Sequence, residues 1–223
     1  MENLPIYISL FFGFTTLIAV FLFYKASNNS KPVLLILFSW LILQSIISKQ
    51  GFYLVTDTLP PRFLLLVLPP LLFIIGFFIS KKGRSYLDSL DIKTLTILHV
   101  VRIPVELVLF WLFINKTVPE LMTFEGRNFD ILSGLIAPFI YYFGFVKPKI
   151  NKKIILLWNF ICLGLLINIV VNAIFSAPFP FQKFAFDQPN IAVLYFPFVW
   201  LPCCVVPLVL LSHLASIRQL LKS

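Results

Sequence analysis

The sequence predicts an all-α fold: a polytopic membrane protein built as a seven-transmembrane-helix bundle. Hydrophobic residues make up 60% of the chain and charged residues only 12%, which exceeds what the core of a soluble domain requires. Apolar runs of about 20 residues, long enough to cross a bilayer as helices, recur along the whole sequence. These runs lack the alternation of period two that membrane β-strands show. We therefore expect a single transmembrane domain over residues 1–223.

Short polar connections separate seven apolar runs. The predicted spans cover about residues 4–24, 32–49, 62–80, 92–114, 129–146, 154–177 and 191–217. Two of these spans contain several prolines, which remove backbone donors and disturb the helix. Pro69 and Pro70 are expected to bend or break the third span. Pro197, Pro202 and Pro207 are expected to kink the seventh span and to release carbonyl groups from their usual partners.

The net charge of +9 comes from basic residues in the connections, where they set topology and contact anionic lipid. The first, third and fifth connections and the C-terminal segment carry the larger share: Lys25, Lys31, Lys81, Lys82, Arg84, Lys93, Lys147, Lys149, Lys152, Lys153, Arg218 and Lys222. The remaining connections carry Lys49, Arg62, Lys116, Arg127 and Lys183. Because Lys and Arg accumulate on the cytoplasmic side, we expect the N-terminus outside and the C-terminus cytoplasmic, in a cytoplasmic membrane of bacterial type. Membrane lipids are the expected partners, and no binding to nucleic acid is expected.

The most informative stretch runs from His99 to Glu106 inside the fourth span. His99, Arg102 and Glu106 stand at i, i+3 and i+7, which places them within about 60° of one helical face. On insertion scales, an Arg or an Asp at the centre of a membrane helix costs roughly 2.5–3.5 kcal/mol. Such side chains therefore face a protein interior or a wet cavity, and they need partners.

Two interpretations of this face are open. In the structural one, Arg102 and Glu106 neutralise each other at i, i+4. A pair in which Arg precedes Glu stabilises a helix less than a pair in which Glu comes first. Pro104 also disturbs the turn between the two residues. In the functional interpretation, which we favour, Arg102 holds an anionic or polar group of a ligand and Glu106 acts as an acid, base or coupling carboxylate.

Other polar residues are predicted at the same outer depth as Glu106. They are Gln44, Asp130, Asn168, Asn172 and Asp187. If their faces converge, they line a polar cavity that opens to the outside, with Arg102 as its floor and the aromatic segment 179–186 as a lid. Asparagines on one helical face also commonly form hydrogen bonds between helices, so both roles remain open for Asn168 and Asn172.

Two histidines, His99 and His213, are expected at similar depth in the fourth and seventh spans. Facing histidines can ligate a haem or a metal ion. Two histidines without a further motif are more often a hydrogen-bonded core residue and an interfacial residue. The three cysteines, Cys162, Cys203 and Cys204, fall inside predicted spans without metal-ligand spacing. No metal and no cofactor is expected.

Three function classes follow from these patterns. The favoured hypothesis is a protein that binds a small amphipathic or lipid-derived ligand in the polar cavity. A membrane-embedded enzyme would use Glu106 as acid or base, with His99, on a hydrophobic substrate. A proton-coupled transporter of small solutes would use protonation of Glu106. The lack of a known catalytic motif weighs against the enzyme, and the lack of an internal repeat weighs against the transporter.

Overall fold

The computed structural model describes residues 4–222, and over that range it contains helices and turns but no strand. Nine α-helices run through the described residues: α1 (Ile6–Ala26), α2 (Lys31–Lys49), α3 (Leu64–Ile79), α4 (Lys81–Ser89), α5 (Ile92–Leu98), α6 (Arg102–Ile114), α7 (Ile131–Tyr141), α8 (Lys152–Ser176) and α9 (Val206–Lys222). The apolar core extends along α1, which packs against α2, α5 and α6.

Three of these helices continue through a local change of pitch. A 3₁₀ turn, His99–Val101, joins α5 to α6, so that one helix runs over Ile92–Ile114. Wider π turns extend α7 over Tyr142–Val146 and precede α9 over Leu201–Val205. The 3₁₀ turn lies just before Pro104, whose ring disturbs the turn that precedes it. A 3₁₀ stretch within a helix often marks a functional or strained position.

Five helices are long and apolar enough to cross a membrane: Ile6–Ala26, Lys31–Lys49, Ile92–Ile114, Lys152–Ser176 and Leu201–Lys222. A sixth span results if α3 and α4, which meet at 97°, are taken together. The helix Ile131–Val146 is apolar but shorter. The predicted all-helical fold, with several helices that could cross a membrane, is therefore confirmed, whereas the predicted number of seven spans is not.

The third predicted span, residues 62–80, is not broken at its prolines. α3 continues through Pro69 and Pro70, and the sharp change of direction falls at Ser80 instead. The Ser80 hydroxyl accepts a hydrogen bond from the Gly83 backbone N–H at 2.9 Å, which caps a new helix. The helix breaks where the sequence becomes charged and not at the prolines.

The seventh predicted span, residues 191–217, begins too early. Its helical part starts at Leu201 and continues to Lys222. Residues 191–199 form turns and a short 3₁₀ segment, Ala192–Leu194. At the start of this stretch, the backbone N–H groups of Ile191 and Ala192 donate to the carbonyl of Thr117, at 3.1 and 3.0 Å. The predicted release of carbonyls by proline is confirmed further on. Pro207 has no N–H for the Cys203 carbonyl four residues earlier, and the Trp40 indole donates to that carbonyl at 2.9 Å.

The connections meet at two opposite ends of the helix bundle. At one end, the Asp91 N–H donates to the Ala26 carbonyl at 2.8 Å. The C-terminal part of α9 joins the same end, because Arg218 pairs with Asp88 of α4 at 2.8 Å. This end gathers the connections that carry most of the basic residues.

At the other end, the α6–α7 connection meets the segment that precedes α9. The Asn190 N–H donates to the Ser176 carbonyl at 2.8 Å. The Ser48 hydroxyl donates to the Leu194 carbonyl at 3.4 Å. The Gln188 side chain donates to the Phe113 carbonyl of α6 at 3.1 Å. The connection after α8 therefore reaches both α2 and α6.

Candidate functional site

Arg102 forms a buried ion pair with Asp130, the residue that precedes α7. Arg102 Nε lies 3.1 Å from Asp130 Oδ2, and the two residues are 3% and 5% exposed. The two terminal nitrogens of the guanidinium approach the Cys162 carbonyl of α8 at 3.4 and 3.5 Å. One arginine thus connects α6, α7 and α8.

This pairing corrects the structural interpretation of the sequence. The structural interpretation paired Arg102 with Glu106, but the ion pair forms with Asp130. The functional one gave Arg102 to a ligand and placed Asp130 among the ligand-binding residues. Those two roles stay predictions. Asp130 also supplies the counter-charge of Arg102, because α7 begins directly beside the N-terminal turn of α6.

Glu106 is held by Asn128, a residue that the sequence did not single out. The Asn128 side-chain amide donates to Glu106 Oε1 and, at 3.0 Å, to the Met122 carbonyl. Its own carbonyl oxygen accepts the Asp130 backbone N–H at 3.0 Å. Asn128 is fully buried and Glu106 is 2% exposed. Only the position of Asn128 two residues before Asp130, typical of an Asx turn, indicated this role.

Two carboxyl oxygens in this cluster have no hydrogen-bond partner within residues 4–222. They are Glu106 Oε2 and Asp130 Oδ1, and both are buried. Arg102 Nε, although 3.1 Å from Asp130 Oδ2, also forms no hydrogen bond of good geometry within that range. A buried acceptor without a partner costs about 1–3 kcal/mol, so such atoms normally meet water, an ion or a ligand. The cluster also contains two carboxyl groups and one guanidinium. It can therefore accept a proton or a donor-bearing group.

Gly134 allows this cluster to assemble. A Cβ atom at Gly134 would lie 2.8 Å from Ile103 Cγ1 and 3.2 Å from the His99 carbonyl oxygen. Only a residue without a side chain lets α7 approach the His99–Ile103 turn so closely. That approach brings Asp130, one turn earlier, to Arg102.

His99 and His213 face each other, as their predicted depths suggested. Their rings stack with centroids 3.8 Å apart and planes at 15°, and Trp158 packs edge-on against His99 at 5.4 Å. His213 Nδ1 lies 2.9 Å from Asn159 Oδ1. Both ring nitrogens of His99 and Nε2 of His213 are buried without a partner in the described chain.

The histidine pair corrects two sequence hypotheses. Both residues are fully buried, so neither is interfacial. Stacked rings 3.8 Å apart leave no room for a haem between them, which excludes axial ligation of one iron by this pair in this geometry. Across residues 4–222, no three His, Cys, Asp or Glu side chains come together as a possible metal site.

The other predicted site residues lie apart from the Arg102 cluster or at its edge. Gln44 is fully buried and accepts a hydrogen bond from the Tyr53 hydroxyl, which places it in a separate polar cluster beside α2. The Asn168 side chain donates to the Arg127 carbonyl at 2.9 Å, next to Asn128. Asn172 is linked to Asn168 at 3.5 Å, and Asp187 is exposed.

The predicted polar cavity and its lid are not confirmed. Cavities of about 640 and 450 Å³ lie between α3 and α4 and beside α9, and none of Arg102, Glu106 and Asp130 lines either one. The segment 179–186 lies against the ends of α3 and α8, where Phe179 contacts Phe63 at 5.4 Å between ring centroids.

A family profile described as a domain of unknown function, DUF8737, matches residues 59–221. This covers more than half of the chain. The chain belongs to the DUF8737 family. The matched region contains α3 to α9, so the Arg102–Asp130 pair and the stacked histidines lie within the DUF8737 part, whereas α1, α2 and Gln44 precede it. No functionally curated protein and no solved structure matches the chain.

Proposed function

We propose that this DUF8737 protein binds a small amphipathic ligand inside its helix bundle, at Glu106 and Asp130. The ligand carries hydrogen-bond donors, as an amine or a hydroxyl group does. The protein crosses the cytoplasmic membrane seven times in this proposal, with α7 as a short span, the N-terminus outside and the C-terminus cytoplasmic. The excess of Lys and Arg at the end of the bundle that holds Ala26 and Asp91 supports this orientation.

One observation carries the proposal: two buried carboxyl groups accompany a single guanidinium, which pairs with Asp130, and each carboxyl group has an oxygen without a hydrogen-bond partner. Arg102 is already neutralised by Asp130, so an anionic ligand would displace an existing partner. A donor-bearing ligand instead fills the open acceptor positions at Glu106 and Asp130. It also balances the excess of carboxyl groups, which is costly in a medium of low dielectric constant.

The ligand enters beside α8 in this proposal. Asn168 is exposed and holds the Arg127 carbonyl, and the next residue, Asn128, holds Glu106. A small movement of the segment around Arg127 would therefore open the site to the surface. The pair Asn168 and Asn172 would then provide neutral hydrogen bonds at its rim.

The proposal is tested with three amphiphiles of equal chain length: dodecylamine, dodecanol and dodecanoate. The purified protein, in an uncharged detergent, is heated with each compound and its unfolding midpoint is recorded. A ligand present at a concentration of about 100 times its dissociation constant stabilises the folded protein by about 2.7 kcal/mol. It thus raises the unfolding midpoint by about 5–10 °C. We expect the largest rise with the amine, a smaller one with the alcohol and none with the carboxylate.

Two matched variants separate site binding from partition into the micelle. Glu106→Gln keeps an acceptor for Asn128 but removes a charge, and should abolish the advantage of the amine. Asp187→Asn removes an exposed carboxylate and should leave that advantage intact. Equal stabilisation by all three compounds, or an unchanged amine effect in Glu106→Gln, would refute the proposal.

Proton-coupled transport is the second candidate, because protonatable side chains follow one another along a single helix. His99, next to His213, lies one turn before Arg102, and Glu106 lies one turn after it. Series of this kind mark proton relays in membranes. Uptake of labelled dodecylamine into proteoliposomes should then depend on an imposed pH gradient and vanish in Glu106→Gln. Binding without gradient-dependent uptake would favour the binding protein.

The enzyme hypothesis receives less support from the geometry. Glu106 and His99 lie seven residues apart on one helix, about 10 Å along its axis. Arg102 and its ion pair stand between them. A general acid and a general base must both reach the reacting group within hydrogen-bond distance, so these two residues would not act on the same bond.

A further inference from the structure

A groove lies in the corner between α3 and α4, far from the polar residues discussed above. Its volume is about 640 Å³, within the range of about 300–1,000 Å³ that is typical of ligand pockets. The α3 side of the groove, from Pro69 to Phe77, is apolar, whereas Ser80, Lys82 and Tyr86 lie at its α4 end. The groove is therefore amphipathic along its length.

The corner that forms the groove is tightly built. A Cβ atom at Gly83 would lie 2.5 Å from both the Cα and the carbonyl oxygen of Phe77, so only glycine fits there. The Arg84 guanidinium donates to the last carbonyls of α3, at Phe78 and Ile79, over 2.9 and 2.6 Å. These contacts hold α4 at 97° to α3. The groove is thus a fixed feature of the fold.

The surroundings of the groove indicate what occupies it. α3 presents exposed apolar side chains, with Leu72 at 56% and Phe73 at 67% exposure, as a helix in contact with lipid does. α4 begins with Lys81 and Lys82. A charged helix at about a right angle to an apolar one lies along the membrane interface, where basic side chains attract anionic lipid headgroups.

We propose that this groove binds one anionic phospholipid. Its acyl chain lies along α3 between Pro69 and Phe77, and its phosphate is held by Lys82. The apolar end of the groove matches a hydrocarbon chain, and the positive charge of α4 matches the headgroup. The occupant is a membrane phospholipid and not a soluble phosphate, because most of the groove is apolar.

The test is native mass spectrometry of the purified chain, in an uncharged detergent, with dioleoyl phosphatidylglycerol or dioleoyl phosphatidylcholine. Both lipids have the same acyl chains, so only the headgroup differs. We expect phosphatidylglycerol to be retained about fivefold more strongly, as one Lys–headgroup interaction provides. Equal retention of the two lipids would overturn the headgroup part of the proposal.

Two glycine variants test the position of the acyl chain. A Cβ atom at Gly76 or at Gly164 has no atom within 4 Å, so both helices accept a larger residue without a clash. Gly76→Leu fills the groove and should remove the retained phosphatidylglycerol, whereas Gly164→Leu on α8 should retain it. Identical retention by the two variants would overturn the proposal.

Two lysine variants test the headgroup and remain informative if Gly76→Leu does not fold. Lys82→Gln removes the charge that lines the groove and should abolish the preference for phosphatidylglycerol. Lys93→Gln removes an exposed charge at the start of α5 and should keep it. A preference that survives Lys82→Gln would contradict the assignment. Glu106→Gln should leave lipid retention unchanged. The test of the lipid groove is therefore independent of the test of the ligand site in the bundle.

Discussion

At the scale of single residues, Arg102 is the central observation. Its side chain is 3% exposed and is neutralised by Asp130, the residue that precedes α7. The sequence indicated that His99, Arg102 and Glu106 share a face and are buried, because that follows from helical periodicity. It did not indicate Asp130 as the partner, since that contact depends on how closely α7 packs at Gly134.

The Arg102–Asp130 pair should behave as a coupled unit. Removing one partner from a buried ion pair costs about 3–5 kcal/mol, because it leaves an uncompensated buried charge. Arg102→Met and Asp130→Leu should each lower the free energy of unfolding by about that amount. The double variant should recover most of the loss. Thermal unfolding of the four proteins checks this, and losses that simply add would contradict the pairing.

Gly134 gives a second prediction at this scale. Gly134→Ala places a methyl group 2.8 Å from Ile103 Cγ1 and should destabilise the protein by about 1–3 kcal/mol, as overpacking does. Gly164→Ala is the matched control, because a Cβ atom there meets no atom within 4 Å. It should be neutral or should stabilise the helix by up to about 1 kcal/mol. Equal unfolding midpoints for the two variants would show that α7 does not pack as described.

At the scale of elements, prolines were easy to find in the sequence but their effects were not. α3 runs through Pro69 and Pro70 and turns only at Ser80. The turn depends on the Ser80 cap and on the glycine at position 83, whose close approach to Phe77 is a tertiary contact. Sequence patterns predict local preference, and the packing of neighbouring segments decides between competing breaks.

The corner between α3 and α4 should depend on Gly83. Gly83→Ala brings a methyl group within 2.5 Å of the Phe77 backbone, which cannot move without unwinding the end of α3. We expect a lower unfolding midpoint and loss of phosphatidylglycerol retention. Gly164→Ala, in open space on α8, should lower neither property. An unchanged unfolding midpoint and unchanged phosphatidylglycerol retention in Gly83→Ala would show that the corner is more open than the structure indicates.

The Trp40–Cys203 contact should be replaceable by a backbone donor. Trp40→Phe leaves the Cys203 carbonyl without the indole N–H that satisfies it, and an unpaired buried carbonyl costs about 1–3 kcal/mol. Pro207→Ala supplies a backbone N–H four residues after Cys203. The double variant should therefore be more stable than Trp40→Phe alone in thermal unfolding. A further loss in the double variant would refute this role for Pro207.

At the scale of the whole molecule, the multi-pass helical character followed directly from composition and from the length of the apolar runs. The number of spans did not, because α3 is short and sharply bent against α4 and because Ile131–Val146 is also short. Hydropathy measures how apolar a segment is. It does not show whether a short or bent helix completes a crossing, which depends on the helices around it.

Labelling of single cysteines decides both the orientation and the crossing by α3. The native cysteines are free and buried, so they give a low background. The proposed topology places exposed Asp57 and Glu125 outside and exposed Ser85 in the cytoplasm. An impermeant maleimide should label Asp57→Cys and Glu125→Cys in intact cells and Ser85→Cys only after lysis. Labelling of Asp57→Cys and Ser85→Cys from the same side would show that α3 does not cross.

The claim on which the proposed function depends is that Glu106 and Asp130 bind a donor-bearing ligand inside the bundle. Mass spectrometry of the small molecules that copurify with the wild-type protein and with Glu106→Gln tests it most directly. We predict an amphiphile with an amine or hydroxyl group that is enriched with the wild type and depleted in the variant. The same molecules in the same amounts in both preparations would contradict the claim.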